Sequence, residues 1–459
     1  MRALRALGMD GAVTYTFLAR SAGVAGSAGT VLLILRRLSP VEQGYYYTLL
    51  GLVSLQLVFE LGFSFVIQQM AAHECAHLEL HPGGRIEGDP VAHARLASTL
   101  RLSLRWYTVA AVAMCIVLAP LGMVFFSRRG IPAGPPIPWQ GPWLAAVFAS
   151  SASLWCMPLY SFLEGCGYVR AVAAMRLRQS VATSACAWIP LLLGHGLYSP
   201  AMAIVGYLGA GLLYVLSHRR LLLGLARHKG TQKAVRWMRE IWPFQWRIAV
   251  SWICSYFTVQ ILVPMLFALR GPVEAGQMGM SLSITGYVTL LALAWSTTKT
   301  TPFGNLIARR ELKELDRLFR RTLGQSMAVF ALVALAVCVS AVLLSRWAPR
   351  LAARVVSPHL FALLMLAAAA NCLVQSLAIL LRSFKAEPFL IQSLAVAALT
   401  LALAALAAPR WGNAGAALGY LAATLGVGLP LAVTIFLRAR RGYLGVGKVE
   451  TMVQPCQGV

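Results

Sequence analysis

An apolar run of about 20 residues recurs twelve times along this chain, and that repetition limits what the chain can become. A run of this length matches the hydrocarbon thickness of a bilayer, and only a helix satisfies all of its backbone polar groups internally. The runs lie near 13–35, 44–70, 104–126, 142–163, 173–194 and 199–217, then near 247–269, 276–301, 323–345, 359–381, 388–408 and 414–437. With 59% hydrophobic residues and only 12% charged ones, the chain could not cover a soluble surface. The expected class is an all-α membrane protein with about 12 transmembrane helices. Arg2 and Arg5 precede the first run, which contains Arg20 and continues to about residue 35. It is too long and too interrupted for a cleaved signal, so it is expected to be the first span.

Two short segments align the halves. Ser39-Pro40-Val41-Glu42-Gln43-Gly44 and Gly271-Pro272-Val273-Glu274-Ala275-Gly276 are offset by 232 residues, and the same offset pairs Ser64 with Ser296 and Phe63 with Trp295. Each copy has the form of a helix start. Proline at the first helical position has no N–H to leave unpaired, and the glutamate meets the positive end of the helix dipole. Ser39 and Glu42 have capping-box spacing, whereas Gly271 and Glu274 keep only the acidic half. Six runs precede a basic stretch and six follow it, as a parallel six-plus-six duplication would require. The expected organisation is a six-helix bundle over 1–217, a basic cytoplasmic amphipathic linker over 218–246, a second six-helix bundle over 247–437 and a cytoplasmic tail over 438–459.

Charge orients the chain. The net charge of +25 would suggest nucleic acid on a soluble surface, but here Lys and Arg sit in the connections and at span ends. Of the 40, 30 fall on the side of the N-terminus and 9 on the other, which places both termini in the cytoplasm and excludes a nucleic-acid partner. The linker and the stretch 309–318 interleave basic residues with leucine, as a surface facing anionic membrane lipids does. The nine cysteines show no CxxC pair and fall mostly within apolar runs, as small buried hydrophobes. No cofactor motif or Gly-rich phosphate loop is present.

Charges inside the runs are costly and mark candidate sites. Arg20 in span one and Glu60 in span two lie at matching depths on antiparallel runs and are expected to face each other. Lys299 ends span eight among Ser296, Thr297, Thr298, Thr300 and Thr301, and Arg247 opens span seven beside Gln245. Asn371 and Gln375, one turn apart in span ten, form a polar stripe suited to binding helices together. One enzyme motif is literally present: His73-Glu74-Cys75-Ala76-His77 is HExxH, which on a helix can hold zinc and activate water. It falls at a span end, and Asp10, Asp89 and Asp316 all lie outside the runs, leaving no embedded aspartate as third ligand.

Leu38-Ser39-Pro40-Val41-Glu42-Gln43-Gly44-Tyr45-Tyr46-Tyr47, followed by Phe59-Glu60-Leu61-Gly62-Phe63-Ser64, resembles the opening of Wzx-type polysaccharide flippases. These belong to the multidrug/oligosaccharidyl-lipid/polysaccharide (MOP) exporter superfamily. Phe267-Ala268-Leu269-Arg270-Gly271-Pro272-Val273-Glu274-Ala275-Gly276 is similar to that superfamily's span-seven-to-eight turn. The resemblance implies two pseudo-symmetric six-helix bundles around a central cavity, as in MATE exporters. It also implies a bacterial inner-membrane location, a cargo of undecaprenyl-pyrophosphate-linked oligosaccharide, and glycan-assembly enzymes as partners. On that expectation Arg20, Arg247 and Lys299 would meet the pyrophosphate and Glu60 would hold Arg20. The alternatives are a cation-coupled multidrug exporter of the same superfamily, a membrane zinc hydrolase using His73, Glu74 and His77, and a glycan polymerase or ligase. The last would need a larger outer loop than 127–141. The insertion 73–103 is longer and richer in His than the resemblance expects.

Overall fold

A computed structural model of the chain describes residues 11–80, 86–129, 136–227, 242–384 and 388–444. Two compact units divide between Ile253 and Cys254, within the seventh apolar run.

In the first unit, α1 (Gly11–Arg37) is followed by three pieces that together make span two: α2 (Pro40–Val53), α3 (Gln56–Glu60) and α4 (Phe63–Cys75). The capping box forms as its spacing implies: Ser39 N–H donates to Glu42 and Glu42 N–H to Ser39 Oγ. The run expected to be continuous over 44–70 is instead bent by 42° between Glu60 and Phe63. Leu61 and Gly62 there both adopt positive φ, of 52° and 64°. A Cβ on Gly62 would approach Ile248 Cγ2 to 2.5 Å, so glycine is what lets another helix pass close to the bend.

A two-stranded antiparallel hairpin, β1 (Leu78–Leu80) with β2 (Ile86–Gly88), occupies the His-rich insertion. An apolar-run reading could not foresee it, because its strands are three residues long and the pairing is local. α5 (Pro90–Arg129) follows; at 40 residues it is ~60 Å long, so it extends well beyond the bilayer. Then come α6 (Gln140–Gly165), α7 (Val169–Leu193), α8 (Ser199–Ser217) and α9 (Arg219–Arg227). Small residues let these helices approach: Gly23, Gly26 and Gly29 of α1 lie against Ser180, Ser184 and Trp188 of α7. The numbers rise together, so the two helices are parallel, and Trp188 Nε1 closes the pair on Thr30 Oγ1 at 3.0 Å. Leu221, Leu222 and Leu225 of α9 are buried, and the helix packs on α5. Its apolar face is thus taken by protein, leaving its arginines outward; residues 228–241 of the expected linker lie outside the described residues.

α10 (Trp242–Ser255) runs through a π-helical turn over Tyr256–Gln260 into α11 (Leu262–Arg270), with a 41° bend. The second unit continues with α12 (Pro272–Thr298), α13 (Thr300–Ala308), α14 (Leu312–Trp347), α15 (Pro349–Ala352), α16 (Pro358–Ser383), α17 (Leu390–Ala423) and α18 (Leu429–Leu444). α17 is two helices: the chain reverses at Gly412, which has φ 53° and ψ −130°. Beyond it Gly415 packs on Ala407 and Ala408, and Gly419 on Leu403 and Ala404, as an antiparallel hairpin requires.

Among the described residues, eight helices are long and apolar enough to cross a membrane alone, and two bent pairs do so together. α7, made less apolar by Arg170, Arg176 and Arg178, and the reversal at Gly412 complete the twelve runs. The chain is an all-α multi-pass membrane protein apart from the hairpin.

Candidate functional site

A buried polar network lies at the break in span two. Glu60 is the last residue before it and is only 4% exposed. One helical turn later, Ser64 Oγ donates to Glu60 Oε1 at 2.6 Å. With that proton committed, Tyr107 O–H is the donor to Ser64 at 2.8 Å. Tyr107 is fully buried on α5, its ring stacked on Phe63. The charge on Glu60 also reaches Tyr207 of α8, which lies within range of Arg176 as well. Arg176 bonds Glu164 across α7 and α6, and Gln179 Nε2 reaches the Tyr207 carbonyl. Spans two and three thus meet through Glu60, Ser64 and Tyr107, and spans four, five and six through Glu164, Arg176, Gln179 and Tyr207.

Depth alone suggested that Arg20 would face Glu60. Glu60 accepts a hydrogen bond from Ser64, and Arg20 is half-buried within reach of the like charge of Arg176. Arg247 is exposed and lies over the ring of its neighbour Trp246, 5.6 Å from the centroid. Lys299 terminates α12 in the second unit, partly exposed, whereas Ser296 beside it turns inward. Ser296 meets Ser326 at 3.0 Å and Ser376 at 3.4 Å, a buried hydroxyl cluster joining α12, α14 and α16. Asn371 donates to Tyr420 O–H across α16 and α17, the interhelical role its position suggested.

Tyr107, Gln179 and Tyr207 were not legible as site residues. Each is a lone polar side chain in an apolar run, with no partner nearby in sequence. Arg176 and Glu164 carried a weak signal, as opposite charges near the ends of adjacent runs.

The HExxH residues are otherwise engaged. Glu74 accepts Arg95 Nε at 2.7 Å and is nearly buried, while the His73 side chain is 79% exposed. Among the described residues no group of three or more His, Cys, Asp or Glu is placed to hold a metal ion.

No protein-family model and no curated protein match the chain. Solved structures do. A multidrug-resistance MATE-family transporter of the MOP superfamily, inward-facing, aligns over 95% of this chain and 96% of its own at 14% identity, with a TM-score of 0.59. The lipid II flippase MurJ, inward closed, aligns over 94% and 90% at 13% identity, with a TM-score of 0.54. A MOP-superfamily transporter from Pyrococcus furiosus, described by the reverse polarity of its binding pocket, aligns over 94% of both chains at 14% identity and 0.53. The twelve apolar runs of this chain are therefore folded as the MOP-superfamily transporters are.

Proposed function

We propose that the protein is a transporter that flips an undecaprenyl-pyrophosphate-linked oligosaccharide across the bacterial inner membrane for polysaccharide export. The supporting observation is the state of the acids inside the first unit: Glu60 is buried and bonded by Ser64, and Glu164 is bonded by Arg176. Neither is presented as a counter-ion for a cationic drug, whereas Lys299 is partly exposed at the end of its span. A pyrophosphate needs such cations. MurJ, which shares the fold, is a lipid II flippase.

In this reading Arg20 and Lys299 meet the pyrophosphate and Arg247 stands at the entrance of span seven. Glu60, at the bend, changes the charge of the first unit when it gains or loses a cation. Alternating access follows the two states known for a MATE-family exporter of this fold, inward-facing and outward-facing. Both termini are cytoplasmic, the linker 218–246 tethers the halves, and glycan-assembly enzymes supply the cargo. Replacing Arg20 or Lys299 by Ala should abolish polysaccharide export at unchanged protein level in a strain dependent on this gene. Full export by both variants would overturn the reading.

The second reading, a cation-coupled multidrug exporter, is favoured by the 0.59 likeness to a MATE exporter and by the acid in span two. Drug resistance conferred by the protein and lost in Glu60→Gln, with polysaccharide export absent throughout, would select it.

A further inference from the structure

Against each other, α1 and α7 are tight through the middle and open at one end. The register set by Gly23 with Ser180 and Gly26 with Ser184, carried back along both helices, brings Tyr15 level with Arg170. There the pair parts into a cleft of about 390 Å³ lined by Tyr15, Gly167, Tyr168, Arg170, Ala171 and Ala174. Gly167 has φ 90°, and a Cβ there would meet none of the described residues within 4 Å. The cleft lies within a few residues of the start of both helices, hence at a membrane boundary. Two tyrosines at that level suit the headgroup layer.

Its mouth is cationic, with aliphatic side chains beyond it. Arg170 is exposed at the cleft, and Arg178, two turns deeper on the same helix, is exposed too. Leu18, three residues beyond Tyr15, is 45% exposed, and Val181, seven beyond Ala174, is 55% exposed. An arginine at the boundary with exposed aliphatic side chains deeper along both helices matches a lipid with a negative head and acyl chains. The tyrosine hydroxyls can bond a neutral polyol on the same head, whereas a quaternary ammonium would be set beside Arg170.

We infer that the cleft between the leading ends of α1 and α7 is a binding site for an anionic phospholipid of the phosphatidylglycerol type, held by Arg170 at its phosphate. The site is separate from the Glu60 interior and does not depend on what the protein transports.

The test is native mass spectrometry of the purified full chain, titrated with phosphatidylglycerol, phosphatidylcholine or inorganic phosphate in mixed micelles. Wild-type protein should retain phosphatidylglycerol in preference to phosphatidylcholine. Arg170→Gln should weaken retention about fivefold, the contribution of one arginine near an anionic headgroup. Arg170→Lys should keep most of it, and the exposed Arg346→Gln should change nothing. Equal retention by wild type and Arg170→Gln would overturn the site. Equal losses in Arg170→Gln and Arg346→Gln would reduce it to general surface charge. Displacement of the lipid by millimolar inorganic phosphate would show an ion site instead and overturn the lipid assignment.

Discussion

At the start of span two, Glu42 turns back to the amide of Ser39; at the start of span eight, its counterpart Glu274 reaches forward to the amide of Asn413, at 3.0 Å. The sequences around the two glutamates are nearly the same, and both open a helix on proline. The difference lies one step before the proline. Ser39 supplies a hydroxyl that completes a local box, and Gly271 supplies nothing, so Glu274 is left to bond Arg270 and the reversal at Gly412. Gln277, one turn on, accepts from the Asn413 side chain at 2.8 Å and donates to the Ala353 carbonyl at 2.9 Å. In the first unit the equivalent closeness is apolar, with Leu38 packed on Gly196 before α8. One duplicated turn thus serves as a self-contained cap in one half and as a clamp on distant chain in the other.

The deeper pair of duplicated positions differs in the same way. Ser64 and Ser296 both face buried neighbours, but Ser64 serves a carboxylate and Ser296 serves two other hydroxyls. The offset of 232 that aligns them places Ala292, fully buried, where the first unit has Glu60. The span of the first unit breaks at that acid; α12 runs through the corresponding position unbroken. The two aligned spans therefore share a helix start on proline and glutamate, but of the two aligned positions, Glu60 and Ala292, only the first is ionisable.

The most damaging way to break the clamp is at Gly412. A Cβ there would come within 2.1 Å of Glu274 Oε2, on a backbone with φ 53°. Gly412→Ala should destabilise the purified protein by about 2–4 kcal/mol, combining the left-handed φ with displaced hydrogen bonds. A thermal unfolding midpoint in detergent equal to wild type would show that the clamp carries no stability. Next in size is Glu274→Ala, expected to cost about 2 kcal/mol by leaving the Asn413 amide unpaired. Glu42→Ala, which removes only half of a local box, should cost less than half of that. If the two glutamates cost the same, the contrast between cap and clamp is void.

The acid is tested by function rather than stability. Glu60→Gln can still accept from Ser64, so the fold should hold while the charge is lost. Export should fall by on the order of tenfold if the embedded charge drives transport. Glu60→Ala, which strands the Ser64 and Tyr107 hydroxyls, should lower stability as well. Export by Glu60→Gln at the wild-type rate, with a loss only in the alanine variant, would make the network structural.

Much of the architecture could be read from run length, because hydrocarbon thickness admits few alternatives. The capping box at Ser39 was legible for the same reason: its geometry is local and spans four residues. The reversal at Gly412 was legible as a break between runs, but its partner was not, since Glu274 lies 139 residues away from Asn413. The bend after Glu60 was missed altogether. Leu61 is apolar and gives no sign that it will take a left-handed conformation, and Gly62 alone in a run is tolerated by a straight helix. The network around Glu60 depends on that bend.

A small effect sharpens the comparison most. Ser39→Ala removes the hydroxyl that makes the first copy self-contained, at an expected cost of about 1 kcal/mol. Gly271→Ser is the reciprocal change and would restore the box spacing to the second copy. It should not stabilise. Gly271 has φ 94° with ψ −178°, a conformation serine rarely adopts, so a serine there must shift the backbone before its hydroxyl can cap anything. Glu274 would also have to leave Asn413 to complete the box. Paired thermal unfolding should therefore show a loss for both substitutions, about equal in size. A gain for Gly271→Ser would mean that the second turn can accept the local solution, and that its glycine is not what commits Glu274 to the distant hairpin.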